Sequence, residues 1–418
     1  MVCMTRKIKV GAIPALLVFI IILAVGVFWW WAQANRGRYR DLLTALFVMG
    51  VVKLQYYQPV ELGQLAQAYL KTGNIAGMLK VLDDPYTRFL PKADYAELRK
   101  DTDGMFGGIG IFLIPKESKL MISSVVKGSP GEAAGLLAGD RIIAVEQISV
   151  SELGVEAAIA KIKGPPGTIV KLRVVRGAGA RRRELELWIK RKKIQIPTVE
   201  LIWKNDSGLG QYARIGISQF AATTARDLER QLTRVERNRH CQALILDLRG
   251  NPGGELEAAL QVAGKFLPEG APVIHILRRG RPLESLTNQS RDHHDLPMVV
   301  LVDGWSASAS EIVAGALKDQ KRATLVGTHT FGKDLIQQIM ELPGGVALSV
   351  TIASYLTSGK VNIHRKGVQP DYVVSIPGAT ERLLRRGDLV LFQRMRELQE
   401  QTAVRLLKQQ LRNRKLAG

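Results

Sequence analysis

Ala243-Leu244-Ile245-Leu246-Asp247-Leu248-Arg249-Gly250-Asn251-Pro252-Gly253-Gly254 is the stretch on which the fold turns. It opens as a short apolar run, the pattern of a strand buried on both faces. A proline and paired glycines then break the run, and apolar positions resume at helical spacing over Glu255–Phe266. Strand, glycine turn and helix in that order start an α/β unit. The alternation continues outward. Strand signals at Ala213–Phe220, Val273–Leu277, Val299–Val302, Ala323–Val326 and Val346–Ala353 are interleaved with helical signals at Thr223–Glu236 and Ser308–Gln320. Residues 194–379 therefore read as an α/β core.

Upstream the character changes twice. Residues 104–193 open on Gly107, Gly108 and Gly110 and continue as short strands and turns, with Val170–Val174 alternating at period two. Residues 33–103 are predicted to be helical, with apolar positions at Leu42, Leu43, Leu46, Phe47, Leu62, Leu65 and Leu70, before Asp83-Asp84-Pro85 marks a break. Residues 11–32 carry no charge. Twenty-two residues at about 1.5 Å each suffice to cross a hydrocarbon core of about 30 Å. Trp29, Trp30 and Trp31 suit the membrane interface, and Arg6, Lys7 and Lys9 lie in the basic lead 1–10. Ala32-Gln33-Ala34 also reads as a signal-peptide cleavage site, but the apolar run exceeds the roughly 7–15 residues usual there. An uncleaved anchor is the favoured expectation. Residues 380–418 form a basic helical tail with ten Lys/Arg against four Asp/Glu. A solvated helix is the default expectation for it, with a membrane surface or a partner subunit as alternatives.

At 418 residues the chain can bury two or three cores. Its formal net charge of +21 would suit anionic lipid headgroups or a basic solvated surface. The basic residues are dispersed and few aromatics sit among them, which argues against a nucleic-acid partner. The two cysteines, Cys3 and Cys241, make neither a disulfide framework nor a zinc spacing. His293-His294 with Asp292 and Asp295 is a single cluster without separated ligands and reads as a polar loop. No metal or cofactor is expected.

The chemistry-bearing residues are Ser308 and Lys333, 25 positions apart, in Trp305-Ser306-Ala307-Ser308-Ala309-Ser310-Glu311 and Phe331-Gly332-Lys333-Asp334-Leu335-Ile336-Gln337. A serine hydroxyl attacks carbonyls only when a base takes its proton, and a lysine serves as that base when its amine is neutral. Gln337 returns to the lysine's face at an offset of four, in a helix or in a strand. Ser308-x-x-Glu311 is also a capping box, so the serine would sit at a helix N-terminus, where free N–H groups can hold an oxyanion. Ser306 and Ser310 are rivals for nucleophile on composition alone. His329 offers a Ser–His alternative, but no acid partner stands at a suitable spacing.

Several stretches stand in one order along the chain. They are Asp83-Asp84-Pro85-Tyr86-Thr87-Arg88-Phe89-Leu90, Phe106-Gly107-Gly108-Ile109-Gly110, Ala134-Gly135-Leu136 to Gly139-Asp140-Arg141-Ile142, Asp247-Leu248-Arg249, Asn251-Pro252-Gly253-Gly254 and Gly367-Val368-Gln369-Pro370-Asp371. With the two serine and lysine stretches, they resemble the carboxyl-terminal processing, or tail-specific, proteases from about Val51 to Asp371. The resemblance implies an α/β core, crotonase-like or Clp-protease-like, with an inserted mainly-β PDZ domain at 104–193. An N-terminal helical region and one N-terminal transmembrane helix complete the expected architecture.

The resemblance also implies site roles: Ser308 as nucleophile, Lys333 as base and Gln337 as helper, with the N–H groups of Gly254 and Ala309 as the oxyanion hole. Gly108, Ile109, Gly110 and Ile111 match the PDZ loop that holds a substrate's C-terminal carboxylate. The implied partners are proteins or peptides with exposed C-termini, and a homo-oligomer or adaptor stays open. The implied location of the body is outside the cytoplasm, in a periplasm, a lumen or the cell exterior. Two positions depart from the family pattern. Asp334 replaces a glycine after the base, and a carboxylate there would favour the charged lysine. Lys163 replaces an arginine associated with coupling the PDZ domain to the active site, and lysine lacks the bidentate fork. A catalytically impaired, membrane-anchored binding or scaffold protein on the same fold is the alternative function.

Overall fold

The computed structural model describes residues 36–103, 105–116, 119–177, 182–195, 197–378 and 389–417. The basic lead, the expected anchor 11–32 and Cys3 lie outside the described residues. Among the described residues, no helix is long and apolar enough to cross a membrane. The chain divides into two compact units, one formed by Gln337–Ile352 with the residues before Pro91, the other by Pro91–Ile336 with Ala353 onward.

The first unit holds the helices Arg36–Gln55, Leu62–Thr72 and Ile75–Leu79. Ala45, Val48 and Val52 on the first helix recur at helical spacing and are fully buried, together with Leu65, Met78, Leu348 and Val350. The break at Asp83-Asp84-Pro85 has a structural use. The Asp84 carboxylate accepts from the Thr87 hydroxyl (2.7 Å), the Thr351 hydroxyl (2.7 Å) and the Tyr86 N–H (2.9 Å). It thereby pins the strand Arg88–Leu90 onto the first half of Val346–Thr357, in the register Phe89↔Leu348.

In the second unit, residues 105–195 build a six-stranded sheet in the order Ile111–Lys116, Lys119–Val125, Arg141–Val145, Ile169–Arg176 and Arg183–Lys190, with the short strand Ile148–Ser149 paired to Arg141–Val145 off that path. The helix Val155–Ile162 packs with it, around Ile109, Leu120, Ile122, Leu172 and Val174. The chain enters and leaves through a two-stranded antiparallel ribbon, Met105–Gly108 with Lys192–Gln195.

The α/β core is a six-stranded sheet in the order Val199–Asp206, Gly210–Ile217, Cys241–Asp247, Met298–Val302, Thr324–Gly327, Tyr372–Val373. The first pair is antiparallel and every later pair is parallel. Crossover helices Thr224–Arg237, Leu256–Gly264 and Ala309–Asp319 follow three of these strands, as parallel pairing requires. The parallel strands end side by side, and their C-terminal loops carry Phe220, Gly254, Ser308 and Lys333. Ligands of parallel α/β sheets bind at this edge.

The basic tail departs from the solvated helix expected of it. Leu389–Ala417 is one helix whose Ala403, Leu406 and Leu407 pack on Ala243, Ile245, Val299 and Leu301 of the central strands. Composition hides this because its charges and apolar residues share the same turns. Glu400 accepts from Arg214 (2.7 Å) and from the Tyr212 hydroxyl (3.2 Å), which orients the helix on the sheet.

Candidate active site

Ser308 stands immediately before the helix Ala309–Asp319, half-buried, with φ 54° and ψ −112°. A non-glycine residue at positive φ costs on the order of 1–3 kcal/mol and persists only where its surroundings over-determine it. Here they do. The Ser308 N–H donates to Glu311 Oε2 (2.9 Å), and the Ser308 carbonyl accepts from the N–H of Glu311 (2.8 Å), the N–H of Ile312 (3.0 Å) and the hydroxyl of Tyr355 (3.2 Å).

The neighbouring serines are occupied. Ser306 is fully buried, donates its hydroxyl to the Leu248 carbonyl (2.8 Å) and accepts from the Asp303 N–H (3.0 Å). Ser310 is equally buried and donates to the Asn251 carbonyl (3.0 Å). Of the three rivals, Ser308 alone is reachable from solvent.

Glu311 joins the serine loop to the lysine loop. It is fully buried, and each carboxylate oxygen accepts two hydrogen bonds. Oε1 takes the Thr330 hydroxyl (2.5 Å) and the Gly332 N–H (2.6 Å), and Oε2 takes the N–H groups of Ser308 and Lys333 (both 2.9 Å). Burial pushes its carboxyl above the usual carboxylate range, while the four donors pull back towards the ionised form. Tyr355 fastens the same two loops from the fully buried side, with its hydroxyl 2.9 Å from the Lys333 carbonyl and 3.2 Å from that of Ser308. The sequence offered Glu311 only as a helix cap, and Tyr355 lies in a long strand with nothing to mark it.

Lys333 is half-buried. Its neighbour Asp334 is 3% exposed, and its carboxylate Oδ1 lies 2.6 Å from Nδ1 of His364. Gln337 stands in the strand Leu335–Leu342, and its Nε2 is buried without a hydrogen-bond partner among the described residues. His329 is exposed, and His294 is taken up by Glu236 (2.5 Å).

The glycine turn lies against the serine. A Cβ at Gly253, where φ is +101°, would fall 2.6 Å from the Ala307 carbonyl oxygen and 2.9 Å from Ser308 Cβ. Only glycine lets the two loops approach this closely. Phe220 N–H donates to the Gly253 carbonyl and Glu255 N–H to the Phe220 carbonyl (both 2.8 Å). This parallel bridge skips Gly254, so its own N–H is turned away from Phe220. Ala309 is the first helical residue, whose N–H has no intrahelical acceptor. Asn251, fully buried, holds both loops: its side chain accepts from Gly253 N–H (2.9 Å) and its carbonyl from Ala307 N–H (3.0 Å). Below them, Arg249 forks onto Asp247 (2.7 and 2.8 Å) and reaches Gln399 (3.0 Å) and the Arg396 carbonyl (2.9 Å) on the last helix. Burial alone would raise the Asp247 carboxyl, but Arg249 and Arg396 outweigh it and hold the carboxyl below its usual range.

Gly108, Ile109, Gly110 and Ile111 line a groove of about 310 Å³ with Ile159, Ile162 and Lys163. Its walls are mostly aliphatic. Gly110 has φ +75°, and a Cβ there would sit 2.3 Å from Ser129 Cβ. Lys163 ends the helix that forms one wall. The arginine absent at that position has a near neighbour in Arg191, which the sequence reading passed over. Arg191 is 7% exposed and donates to the carbonyls of Lys161 (2.6 Å), Ile162 (3.0 Å) and Ile169 (2.9 Å) and to the Thr168 hydroxyl (2.9 Å).

Residues 211–374 match peptidase family S41, and residues 121–176 match the PDZ domain. Over 306 residues the chain is 40% identical to the carboxyl-terminal-processing protease of Synechocystis sp., spanning 72% of this chain and 70% of that one. It is 38% identical over 312 residues to the carboxyl-terminal-processing protease of Picosynechococcus sp., spanning 74% and 73%. The solved structure of a photosystem II D1 C-terminal processing protease is similar at a TM-score of 0.51 and 30% identity, over 80% of this chain and 93% of that one. With a serine-bearing site on an S41 fold and a PDZ domain beside it, the chain belongs to the carboxyl-terminal-processing proteases, serine-type peptidases of family S41.

Proposed function

We propose that the protein cuts protein substrates near their C-termini with a Ser308–Lys333 dyad. The observation that carries this reading is the strained, solvent-reachable Ser308, whose backbone N–H shares one carboxylate oxygen with that of Lys333. A substrate C-terminus would add as an edge strand in the aliphatic groove at Gly108–Ile111, its carboxylate held by backbone N–H groups of that loop. Lys333, with its amine neutral, takes the proton from Ser308 as Oγ attacks the peptide carbonyl carbon. The carbonyl oxygen becomes an oxyanion facing the N–H groups of Gly254 and Ala309, and losing one such donor costs about 2.7–4 kcal/mol in the transition state. The lysine ammonium returns its proton to the departing amine, the C–N bond breaks and an ester remains on Ser308. Water, giving a proton to Lys333, attacks that ester and frees the serine. Gln337 is assigned the role of orienting the amine on the family resemblance of its stretch. The segment 11–32 would anchor the protein in a membrane with its body outside the cytoplasm.

The rival reading, a binding protein disabled by Asp334, loses its main support because that carboxylate is turned onto His364. The test is cleavage of an unfolded protein with an apolar C-terminus, together with fluorophosphonate labelling. Wild type should cleave and label at Ser308, whereas Ser308→Ala and Lys333→Ala should do neither. Labelling that survives Ser308→Ala, or cleavage that survives Lys333→Ala, would refute the dyad.

A further inference from the structure

We infer that His364 is a positioning residue for the base: it takes up the Asp334 carboxylate and keeps that buried charge turned away from the Lys333 amine. The inference rests on Lys333 being the base. Asp334 follows Lys333 directly, and successive side chains of extended chain point to opposite sides. Alternation alone would not hold a carboxylate in place at 3% exposure, because a buried charge seeks the nearest donor. The Nδ1 of His364, at 2.6 Å, is the donor that the fold supplies.

The loop carrying His364 is built to deliver it. Arg365 N–H donates to the Gly332 carbonyl (2.9 Å) and Val368 N–H to the Thr330 hydroxyl (2.6 Å). Gly332 and Gly367 permit the approach, since a Cβ at Gly332 would lie 2.8 Å from the Arg365 carbonyl carbon and one at Gly367 would lie 2.1 Å from the Thr330 carbonyl oxygen. The His364 N–H is itself fixed by Asn362 Oδ1 (2.7 Å). Other ionisable side chains bear on this region: Glu311 is held by its four donors, the Tyr355 phenol is raised by burial well above its usual range so that it stays protonated, and the cationic Arg365 and Lys366 follow His364 on the loop packed against Gly332. The imidazole ring is partly open to water, with 45% of its side chain exposed, so its removal leaves the packing largely intact.

The pH profile of kcat/KM tests the inference. An opposite charge within about 4–6 Å raises a lysine's pKa by about 1–3 units. In His364→Ala the freed carboxylate should therefore move the acidic limb up by about one unit and lower the rate below that limb about tenfold. The double variant His364→Ala/Asp334→Gly should restore the wild-type limb. His364→Asn, whose Nδ2 lies close to where Nδ1 stood, should stay near wild type. An unshifted limb in His364→Ala, or a shift that persists in the double variant, overturns the inference. So does a fall in kcat without any displacement of the limb. Competitive acetylation of Lys333 against pH, read by mass spectrometry, gives the amine's titration without turnover. It tests His364 even if the dyad assignment fails, whereas Ser308→Ala and Lys333→Ala test the dyad whatever happens at His364.

Discussion

Glu311→Gln is the sharpest perturbation the site offers, because one atom changes from acceptor to donor inside a network made wholly of donors. Suppose the new amide nitrogen replaces Oε2. It then faces the N–H groups of Ser308 and Lys333, and both lose their acceptor. Suppose instead that it replaces Oε1. It then faces Gly332 N–H and the Thr330 hydroxyl, which can rotate to accept, so only one backbone donor is orphaned. The second arrangement is cheaper and should be adopted. One orphaned buried donor costs about 1–3 kcal/mol. At roughly 2–4 °C per kcal/mol for a large domain, the unit should melt about 2–12 °C lower. The lysine loop also loses its hold on the serine loop, and displacement of reacting groups by an ångström can cost about a hundredfold in rate. The expected outcome is a fall of about 10–100-fold in kcat with KM nearly unchanged, measured on a peptide too short to need the PDZ groove. A variant with wild-type kcat and wild-type melting would refute the claim that this carboxylate ties the two loops.

Two further outcomes follow from the same geometry. Tyr355→Phe removes the hydroxyl between the carbonyls of Lys333 and Ser308, and should cost about 1–2 kcal/mol in urea unfolding and lower kcat with little change in KM; an unchanged unfolding midpoint would show that the hydroxyl is idle. Asp247 has a folded pKa held below its unfolded value by Arg249 and Arg396, so its stabilisation is present above the unfolded carboxyl range and is lost as pH falls through the folded pKa. Asp247→Asn should therefore be clearly less stable than wild type at pH 7, with the gap closing as the pH is lowered below about 4; a gap independent of pH would refute the linkage.

The sequence carried the parallel core well because its strands are short apolar runs separated by glycine turns, and Cys241–Asp247 and Met298–Val302 fall almost where the pattern put them. It carried the serine and lysine loops, and the choice of Ser308 over Ser306 and Ser310, through their resemblance to a family; composition alone left the three serines equal, and burial sets Ser308 apart on independent grounds. What stayed hidden is whatever depends on distant chain. Tyr355 is one apolar-looking position among twelve in its strand, and its hydroxyl acquires a task only when two loops from elsewhere arrive beneath it. Asp334 looked like a threat to the base because His364, thirty residues on, has no periodicity or motif linking it to that position. The last helix was misjudged because its charge is visible in composition, whereas the apolar stripe matters only once a sheet face is available to receive it.

That helix also sets an order of events. Arg249 satisfies its guanidinium partly on Arg396 and Gln399, and Trp305, in the serine loop, meets the edge of Phe392 with ring centroids 5.5 Å apart. Both partners are made long after the loops they support. A growing chain that has not yet delivered residues 389–417 therefore carries its serine and lysine on unfinished supports. The site gains its full set of supports only once residues 389–417 have been made.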